Sequence, residues 1–237
     1  MDESSCRKIK MREFNLLEGY PKPSKPRLVG KNIRTIKNRI ISGKRDKNFF
    51  DGDRNFGYGG FNYDGRWKIV AKKIVEEYNL NENSSFLQLN SEKGFLLNDF
   101  KNILPKSKIV GLETSDYAIS TTMESVKKNV EKVSNFLNLD FKDKTFDFIM
   151  ALGVIYTHTL NDAIKCLKEI ERVGKGNSFI TLASYSTDED YWLFKDWTVI
   201  GTTILRKEEW LEVLKYSGYT GDYFFTNAQT LNLINSK

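Results

Sequence analysis

The chain has 237 residues, of which 40% are hydrophobic and 13% aromatic, and its formal net charge is +6. This length and composition exclude an intrinsically disordered protein and favour one sizeable globular domain. No apolar run approaches the roughly 20 residues that cross a bilayer, and residues 1–5 lack the order of a secretion signal. Cys6 and Cys166 are too few for a disulfide scaffold. We therefore expect a cytoplasmic protein without membrane insertion.

Positive charge is concentrated near the N-terminus. Residues 7–47 contain 14 lysines and arginines against three acids, so the rest of the chain is mildly acidic. We interpret residues 1–48 as a basic N-terminal extension and residues 49–237 as the main domain. The extension could neutralise a phosphate-bearing substrate, an RNA backbone or an acidic partner surface. A solvated, partly ordered arm is the alternative.

The extension has some regular patterning of its own. The spacing of Met11, Phe14 and Leu17 predicts a short amphipathic helix within residues 1–20. Three prolines in residues 21–26 predict an extended segment, because proline lacks the backbone donor and restricts its predecessor. Residues 31–42 have the apolar spacing of a second helix.

Residues 49–67 place five glycines among aromatic side chains. Such a composition does not make a regular helix, and it predicts a tight loop folded against a ligand or the sheet edge. Residues 67–78 then have the apolar spacing of an amphipathic helix that leads into the first strand.

A β-α-β unit follows. Residues 86–89 are a short apolar run that predicts a buried strand, Gly94 lies at the turn into a helix, and residues 109–112 predict a second strand. That strand ends at Glu113, 19 residues after the glycine. A carboxylate in this place can accept hydrogen bonds from two adjacent ribose hydroxyls.

The rest of the chain continues the alternation of strands and helices. We predict a helix that Thr114 or Ser115 caps and that runs to about residue 129, then a short strand or loop at 136–139. Further predictions are a strand at 145–152, a helix at 160–173, a strand at 178–183, a polar-aromatic insertion at 185–205, a helix at 207–216 and a last strand at 219–225. This alternation is typical of a parallel α/β sheet with right-handed crossovers.

The β-α-β unit resembles the cofactor-binding half of class I S-adenosylmethionine (SAM)-dependent methyltransferases. The family's Asp-x-Gly-x-Gly-x-Gly turn falls on Gln88, Asn90, Glu92 and Gly94, and its ribose-binding acid falls on Glu113. Further resemblances lie in residues 141–152, in residues 153–158 and in residues 169–173. The resemblance covers about two thirds of the chain. It implies a Rossmann-like α/β fold with a mostly parallel seven-stranded sheet, helices on both faces, and SAM as the cofactor.

Two segments refine this resemblance. Residues 58–67, with the sequence Tyr-Gly-Gly-Phe-Asn-Tyr-Asp-Gly-Arg-Trp, resemble a bacterial branch of such methyltransferases that is often associated with surface polysaccharides. That branch commonly ends its last strand in Gly-Asp-Tyr, as residues 221–223 do here. The implied methyl acceptor is a small polar molecule, a sugar or a phosphate-bearing intermediate.

The resemblance also implies the site residues. The expected cofactor-binding residues are Tyr58, Arg66, Gln88, Asn90, Gly94, Glu113, Thr114, Asn135, Phe136 and Leu152. The candidate catalytic residues are His158, the only histidine, and Tyr156. Both follow the strand predicted at 145–152, at the rim of the sheet where acceptors bind. A histidine that orients its loop and a tyrosine that packs in the core are the structural alternatives. Tyr58 and Arg66 are candidates to close over the cofactor, and Arg66 could instead pair with a nearby aspartate.

Two departures from the family pattern leave other functions open. Asn90 and Glu92 stand where glycines let the cofactor approach the backbone, and the Glu92 charge would need an offset from Lys93 or Arg66. A non-catalytic methyltransferase-like subunit is therefore one alternative. An RNA methyltransferase is another, but the absence of a recognisable RNA-binding module argues against a nucleic-acid partner. No zinc-binding or NTP-binding motif is present. The oligomeric state stays open, a homo-oligomer included.

Overall fold

A computed structural model describes residues 11–30 and 32–236. The strands and helices follow in chain order: β1 (Arg27–Val29), α1 (Ile36–Gly43), α2 (Lys47–Asp51), α3 (Lys68–Glu77), β2 (Ser85–Leu89), α4 (Phe95–Ile103), β3 (Lys108–Glu113), α5 (Asp116–Ser120), β4 (Val130–Lys132), β5 (Phe148–Ala151), α6 (Leu160–Val173), β6 (Ser178–Tyr185), α7 (Asp188–Trp197), β7 (Leu205–Arg206), α8 (Lys207–Ser217), β8 (Asp222–Thr226) and β9 (Leu233–Asn235).

The main sheet has seven strands, and every described pairing in it is parallel. The order β4-β3-β2-β5-β6 is extended by β8, which pairs along β6, and by the short β7, which pairs with the end of β6. A separate two-stranded parallel sheet joins β1 to β9. The prediction of a mostly parallel, seven-stranded α/β sheet is confirmed.

Helices cover both faces of the sheet because successive strand residues point to opposite sides. Phe86 and Phe148 pack towards α3 and α4 on one face. Leu87 and Ile149 pack towards α6 and α8 on the other, where Trp210 is fully buried. The strands are apolar on both sides for this reason, as the uninterrupted burial of β2 and β5 shows.

The described part of the basic extension packs onto the domain, and the helix predicted within residues 1–20 is wrong for residues 11–20. The backbone N–H of Phe14 donates to the carbonyl of Tyr223 (2.9 Å), which places this segment alongside β8. Leu16 is fully buried against α3. Arg12 forms an ion pair with Asp222 (3.0 Å). These contacts with distant residues override the local helical spacing. Residues 1–10 lie outside the described part.

The helix predicted after Glu113 is also shorter than expected. α5 ends at Ser120, and the backbone N–H of Met123 donates to the carbonyl of Lys93 (3.0 Å), outside any helix. Thr121 contributes to the early end, because its hydroxyl donates to the carbonyl of Tyr117 (2.7 Å). The strand of this region is β4, and residues 136–139 form a loop. The insertion predicted at 185–205 contains a helix, α7.

Candidate functional site

The carboxyl ends of the parallel strands meet at one edge of the sheet, the usual place for ligands in open α/β sheets. A cavity of about 350 Å³ lies there, between the ends of β2, β3 and β5. We call it the edge cavity. Its lining residues are Gly43, Arg45, Asn90, Thr114, Ser134, Asn135, Phe136, Gly153, Val154, Thr157, His158, Val199 and Ile200.

The turn between β2 and α4 keeps a left-handed backbone at three positions. The φ angles are +59° at Asn90, +54° at Glu92 and +76° at Gly94. Asparagine tolerates this conformation better than most residues, and glutamate rarely adopts it. Glycine is favoured at position 94, because its φ is positive and a Cβ there would lie 2.9 Å from the Cγ2 atom of Val126.

Glu113 lies at the tip of β3, as predicted, and its side chain is fully buried. Its Oε1 accepts hydrogen bonds from the backbone N–H groups of Thr114 and Ser115, both at 2.8 Å. Its Oε2 accepts one from the N–H of Glu92 (2.7 Å). The carboxylate therefore ties β3 to the β2–α4 turn.

Arg45 completes the environment of this carboxylate. Its Nη2 donates to Glu113 Oε1 at 3.1 Å, and its guanidinium lies over the rings of Phe49 and Phe50. Arg45 also lines the edge cavity, so it stands between the cavity and Glu113. Contact between Glu113 and a ribose stays a prediction, and we expect it to displace Arg45, because Glu113 has no exposed surface beside this contact.

Glu92 lies beside this ion pair without an ion pair of its own among the described residues. Burial raises the pKa of its carboxyl to about 7, although the nearby charge of Arg45 and a hydrogen bond from the Tyr58 hydroxyl both favour the ionised form. The positive charge that offsets the Glu92 carboxylate was expected from Lys93 or Arg66, and it comes chiefly from Arg45. Glu92 does not line the edge cavity.

The aromatic–glycine loop, residues 49–67, is fixed to the domain by an ion pair between the buried Lys93 and the partly exposed Asp51. Lys93 Nζ contacts Asp51 Oδ2 at 2.7 Å, and the Tyr117 hydroxyl donates to the same oxygen (2.6 Å). Phe61 stacks between Tyr58 and Phe95, with ring centroids 4.4 and 4.8 Å apart. The loop therefore packs against the start of α4.

Arg66 and Leu152 lie outside the edge cavity. Arg66 pairs with Asp64, the alternative raised from the sequence, and its guanidinium lies 5.9 Å from the Tyr20 ring centroid. Leu152 packs against the α3–α4 side of the core. Gln88 is buried in β2, and its Oε1 has no hydrogen-bond partner among residues 11–30 and 32–236.

His158 lines the edge cavity, and its Nε2 is buried without a hydrogen-bond partner in the described chain. Burial lowers the pKa of its imidazole, against the smaller opposing effect of Asp162, so the ring is neutral near pH 7. Burial raises the pKa of the Tyr156 hydroxyl to about 12, with a smaller contribution from the Glu92 charge. Tyr156 packs edge-on against Phe194 (6.0 Å).

Of the twelve predicted site residues, five line the edge cavity: Asn90, Thr114, Asn135, Phe136 and His158. Sequence reasoning missed Arg45 as a neighbour of Glu113, and it missed the wall formed by Val199 and Ile200. Arg45 has a left-handed backbone (φ +47°), but nothing in its local sequence signals a contact 68 residues away.

The volume and lining of the edge cavity can be compared with the size and polar groups of the implied cofactor. Its volume falls within the roughly 300–1,000 Å³ of small-molecule sites, and the Asn90 side chain does not fill it. Amide and hydroxyl groups of Asn90, Thr114 and Asn135 can form hydrogen bonds to a nucleoside, and Phe136 offers an apolar ring. These residues fit the adenosyl part of S-adenosylmethionine.

Comparisons with solved structures agree with this fold. The YcgJ protein of Bacillus subtilis superposes with a TM-score of 0.51 at 15% identity, over 62% of this chain and 66% of that one. The [4+2]-cyclase SpnF gives 0.52 at 15% identity, over 80% and 74%. A Haloferax volcanii protein proposed to be a methyltransferase, in complex with the Trm112 methyltransferase activator, gives 0.50 at 16% identity, over 77% and 76%. At these identities the matches show the fold alone.

No curated protein matches the sequence. A profile of the family described as methyltransferase domain matches residues 80–218, which is more than half of the chain and contains the β2–α4 turn, Glu113 and His158. The chain therefore belongs to the methyltransferase-domain family, whose implied methyl donor is S-adenosylmethionine.

Proposed function

We propose that the protein transfers a methyl group from S-adenosylmethionine to a small polar acceptor, a sugar or a phosphorylated intermediate of surface-polysaccharide assembly. The observation that supports it best is the edge cavity, which stays open beside the β2–α4 turn although Asn90 and Glu92 replace glycines. The resemblance of residues 58–67 to the surface-polysaccharide branch supports the acceptor class. No helix among the described residues is long and apolar enough to cross a membrane, and the proposed location is the cytoplasm.

We assign separate roles in cofactor binding and proton transfer to the residues at this site. Asn90, Thr114, Asn135 and Phe136 hold the adenosyl group. When bound, S-adenosylmethionine supplies an electrophilic methyl group on a sulfonium. His158 takes the proton of an acceptor hydroxyl, because its ring lines the edge cavity and is neutral near pH 7. Tyr156 does not line the edge cavity, and its role in orienting the acceptor stays a prediction.

A binding experiment tests the cofactor assignment. Isothermal titration calorimetry with S-adenosylhomocysteine should give saturable binding at one site. Ser134 is exposed on the cavity rim, so Ser134→Trp should fill the cavity and weaken binding at least tenfold without a loss of thermal stability. The matched control is Asn138→Trp, because Asn138 is also exposed and does not line the cavity. Equal binding in the two variants would place the ligand elsewhere.

A turnover experiment tests the catalytic assignment. His158→Asn should lower kcat for methyl transfer by about 10²–10⁴-fold, as loss of a general base does, with S-adenosylhomocysteine affinity unchanged within threefold. An unchanged kcat would assign His158 to a structural role.

The second candidate, a non-catalytic methyltransferase-like subunit, is favoured by one observation. The hydrogen bonds that the Glu113 carboxylate accepts from the described chain already occupy both of its oxygens, and its side chain has no exposed surface. Folded protein that gives no heat with millimolar S-adenosylhomocysteine or S-adenosylmethionine would favour this function over methyl transfer.

A further inference from the structure

A second cavity, of about 190 Å³, lies where the basic extension meets the end of α7. Arg27, Arg34 and Arg54 line it together with Asp196 and Trp197. We call it the arginine cavity. Arg27 belongs to β1, Arg34 precedes α1 and Arg54 lies in the aromatic–glycine loop, so three separate segments bring their guanidinium groups to one place.

The cavity is held in shape by hydrogen bonds that leave most arginine donors unused. Arg34 donates to the carbonyls of Trp197 and Arg54, the latter at 3.1 Å. Arg54 donates to the carbonyls of Gly57 and Tyr58, the latter at 3.1 Å. The guanidinium groups of Arg27 and Arg34 each lie 5.5 Å from the centre of a Trp197 ring. Each guanidinium has five N–H donors, and that of Arg27 makes no hydrogen bond to the described residues.

The positive charge in this cavity is only partly balanced by the described residues, because Asp196 is the one acid beside three arginines in its lining. No described carboxylate lies within 4 Å of the guanidinium of Arg27, Arg34 or Arg54, whereas Arg12, Arg45, Arg66 and Arg172 all have acidic partners. Burial and the neighbouring charges of Arg54, Arg27 and Arg39 lower the pKa of Arg34 to about 10. Bringing these like charges together costs free energy that no ion pair in the described chain offsets.

A bound anion would offset that repulsion. The three guanidinium groups and the Asp196 carboxylate leave a formal charge of about +2, and a phosphate monoester carries about −1.5 to −2 at pH 7. Planar guanidinium groups match the oxygens of phosphate in paired hydrogen bonds. We propose that the arginine cavity binds the phosphate group of an anionic small molecule.

The position of the cavity connects this ligand with the proposed methyl transfer. Gly43 at the end of α1 lines the edge cavity, and Ile33 and Arg34 just before α1 line the arginine cavity. α1 has eight residues, so the two cavities are on the order of 12 Å apart along it. Val199 and Trp197 connect them on the opposite side. An acceptor whose phosphate binds the arginine cavity could thus extend towards the edge cavity; only this link rests on the proposed function.

Anion binding is tested without a methyl donor. Calorimetric titration at low ionic strength with inorganic phosphate, pyrophosphate and uridine diphosphate should give saturable binding, tighter for the diphosphates. Arg27→Gln should weaken binding of pyrophosphate at least tenfold, because it removes an unpaired guanidinium from the cavity wall. The matched control is Arg206→Gln, since Arg206 is exposed and lies over Tyr185 outside both cavities. It should change the affinity less than twofold.

A second measurement does not depend on any variant. In the wild-type protein, pyrophosphate should protect Arg27 from phenylglyoxal, as read by peptide mass spectrometry, and leave Arg206 equally reactive. Equal protection of the two arginines, or equal affinities of the two variants, would overturn the proposal. So would a single-stranded RNA that binds more tightly than uridine diphosphate and loses that affinity in Arg27→Gln. Uridine diphosphate binding without S-adenosylhomocysteine binding would support the anion site while rejecting the methyltransferase proposal.

Discussion

Replacement of Arg45 by methionine separates the structural role of this side chain from its effect on ligand binding. Methionine keeps an unbranched apolar side chain against Phe49 and Phe50, over which the Arg45 guanidinium lies, and removes the hydrogen bond to Glu113. Glu113 keeps its three backbone donors, and the Arg45 side chain is 18% exposed. The loss in unfolding free energy should therefore be about 1.5–3 kcal/mol, the range of one hydrogen bond to a charged group.

Ligand affinity should change in the opposite direction. In the wild-type protein we expect a ribose to reach Glu113 only after the Arg45–Glu113 hydrogen bond breaks, which costs free energy. Arg45→Met removes this hydrogen bond, so ligand binding no longer has to break it. S-adenosylhomocysteine should bind about 3–10-fold more tightly, which corresponds to about 0.7–1.4 kcal/mol. Calorimetry measures the affinity, and denaturant unfolding measures the stability.

The matched control is Lys44→Met, which makes the same charge change at the exposed neighbouring position outside the edge cavity. Both measurements should stay within about 0.5 kcal/mol of the wild type, as is usual for surface substitutions. A tenfold loss of S-adenosylhomocysteine affinity in Arg45→Met would refute the reasoning, because it would make Arg45 a direct ligand contact. Unchanged stability would show that the ion pair does not hold β3 to the extension.

Three further substitutions probe the turn and the loop beside the cavity. Because burial raises the pKa of Glu92 to about 7, the stability that its protonated carboxyl contributes is full below about pH 4.5 and is lost as the pH rises through 7. A single carboxyl changes the unfolding free energy by at most about 1.4 kcal/mol for each tenfold change in proton concentration. Glu92→Gln should flatten this pH dependence, as measured by urea unfolding at several pH values. Gly94→Ala forces a Cβ to within 2.9 Å of Val126 Cγ2 at φ +76° and should lower the unfolding free energy by about 1–3 kcal/mol; unchanged thermal unfolding would contradict the packing argument. Lys93→Met removes the ion pair of Asp51, whose carboxylate is 22% exposed and keeps hydrogen bonds from Tyr117 and Phe61, so the unfolding free energy should fall by about 1.5–3 kcal/mol. Asp51→Asn/Lys93→Met should recover part of this loss in a double-mutant cycle, and additive effects of the two substitutions would contradict a direct interaction.

The β-α-β framework could be read from the sequence because its signals are local. The helix predicted at 160–173 has those bounds in the structure, since Thr159 caps its first turn and Gly174 follows its last residue. The strand predicted at 145–152 is β5, shortened at both ends. Buried runs and caps of this kind act within a few residues, so a single sequence is enough to detect them.

The contacts that complete the site are long-range, and the sequence gives little sign of them. β1 and β9 have three residues each and pair across about 200 residues of chain, which is too short a pattern to predict. Arg12 pairs with Asp222 and Arg45 with Glu113, and neither arginine differs in its local context from the other basic residues of the extension. The basic composition was visible, but its division into paired arginines and an unpaired cluster depends on the tertiary fold.

The β2–α4 turn departs from the glycine pattern of the family, and tertiary contacts hold its conformation instead. Asn90 and Glu92 keep the left-handed backbone that glycine would adopt, and such positions cost on the order of 1–3 kcal/mol each, less where asparagine is the residue. Fixed contacts offset that cost at Glu92, because its N–H donates to Glu113 and its carboxyl accepts a hydrogen bond from the Tyr58 hydroxyl. The shape of the turn therefore no longer depends on glycine at position 92. It depends on Glu113 and Tyr58, and a change at either should disturb the edge cavity through the turn without touching a ligand.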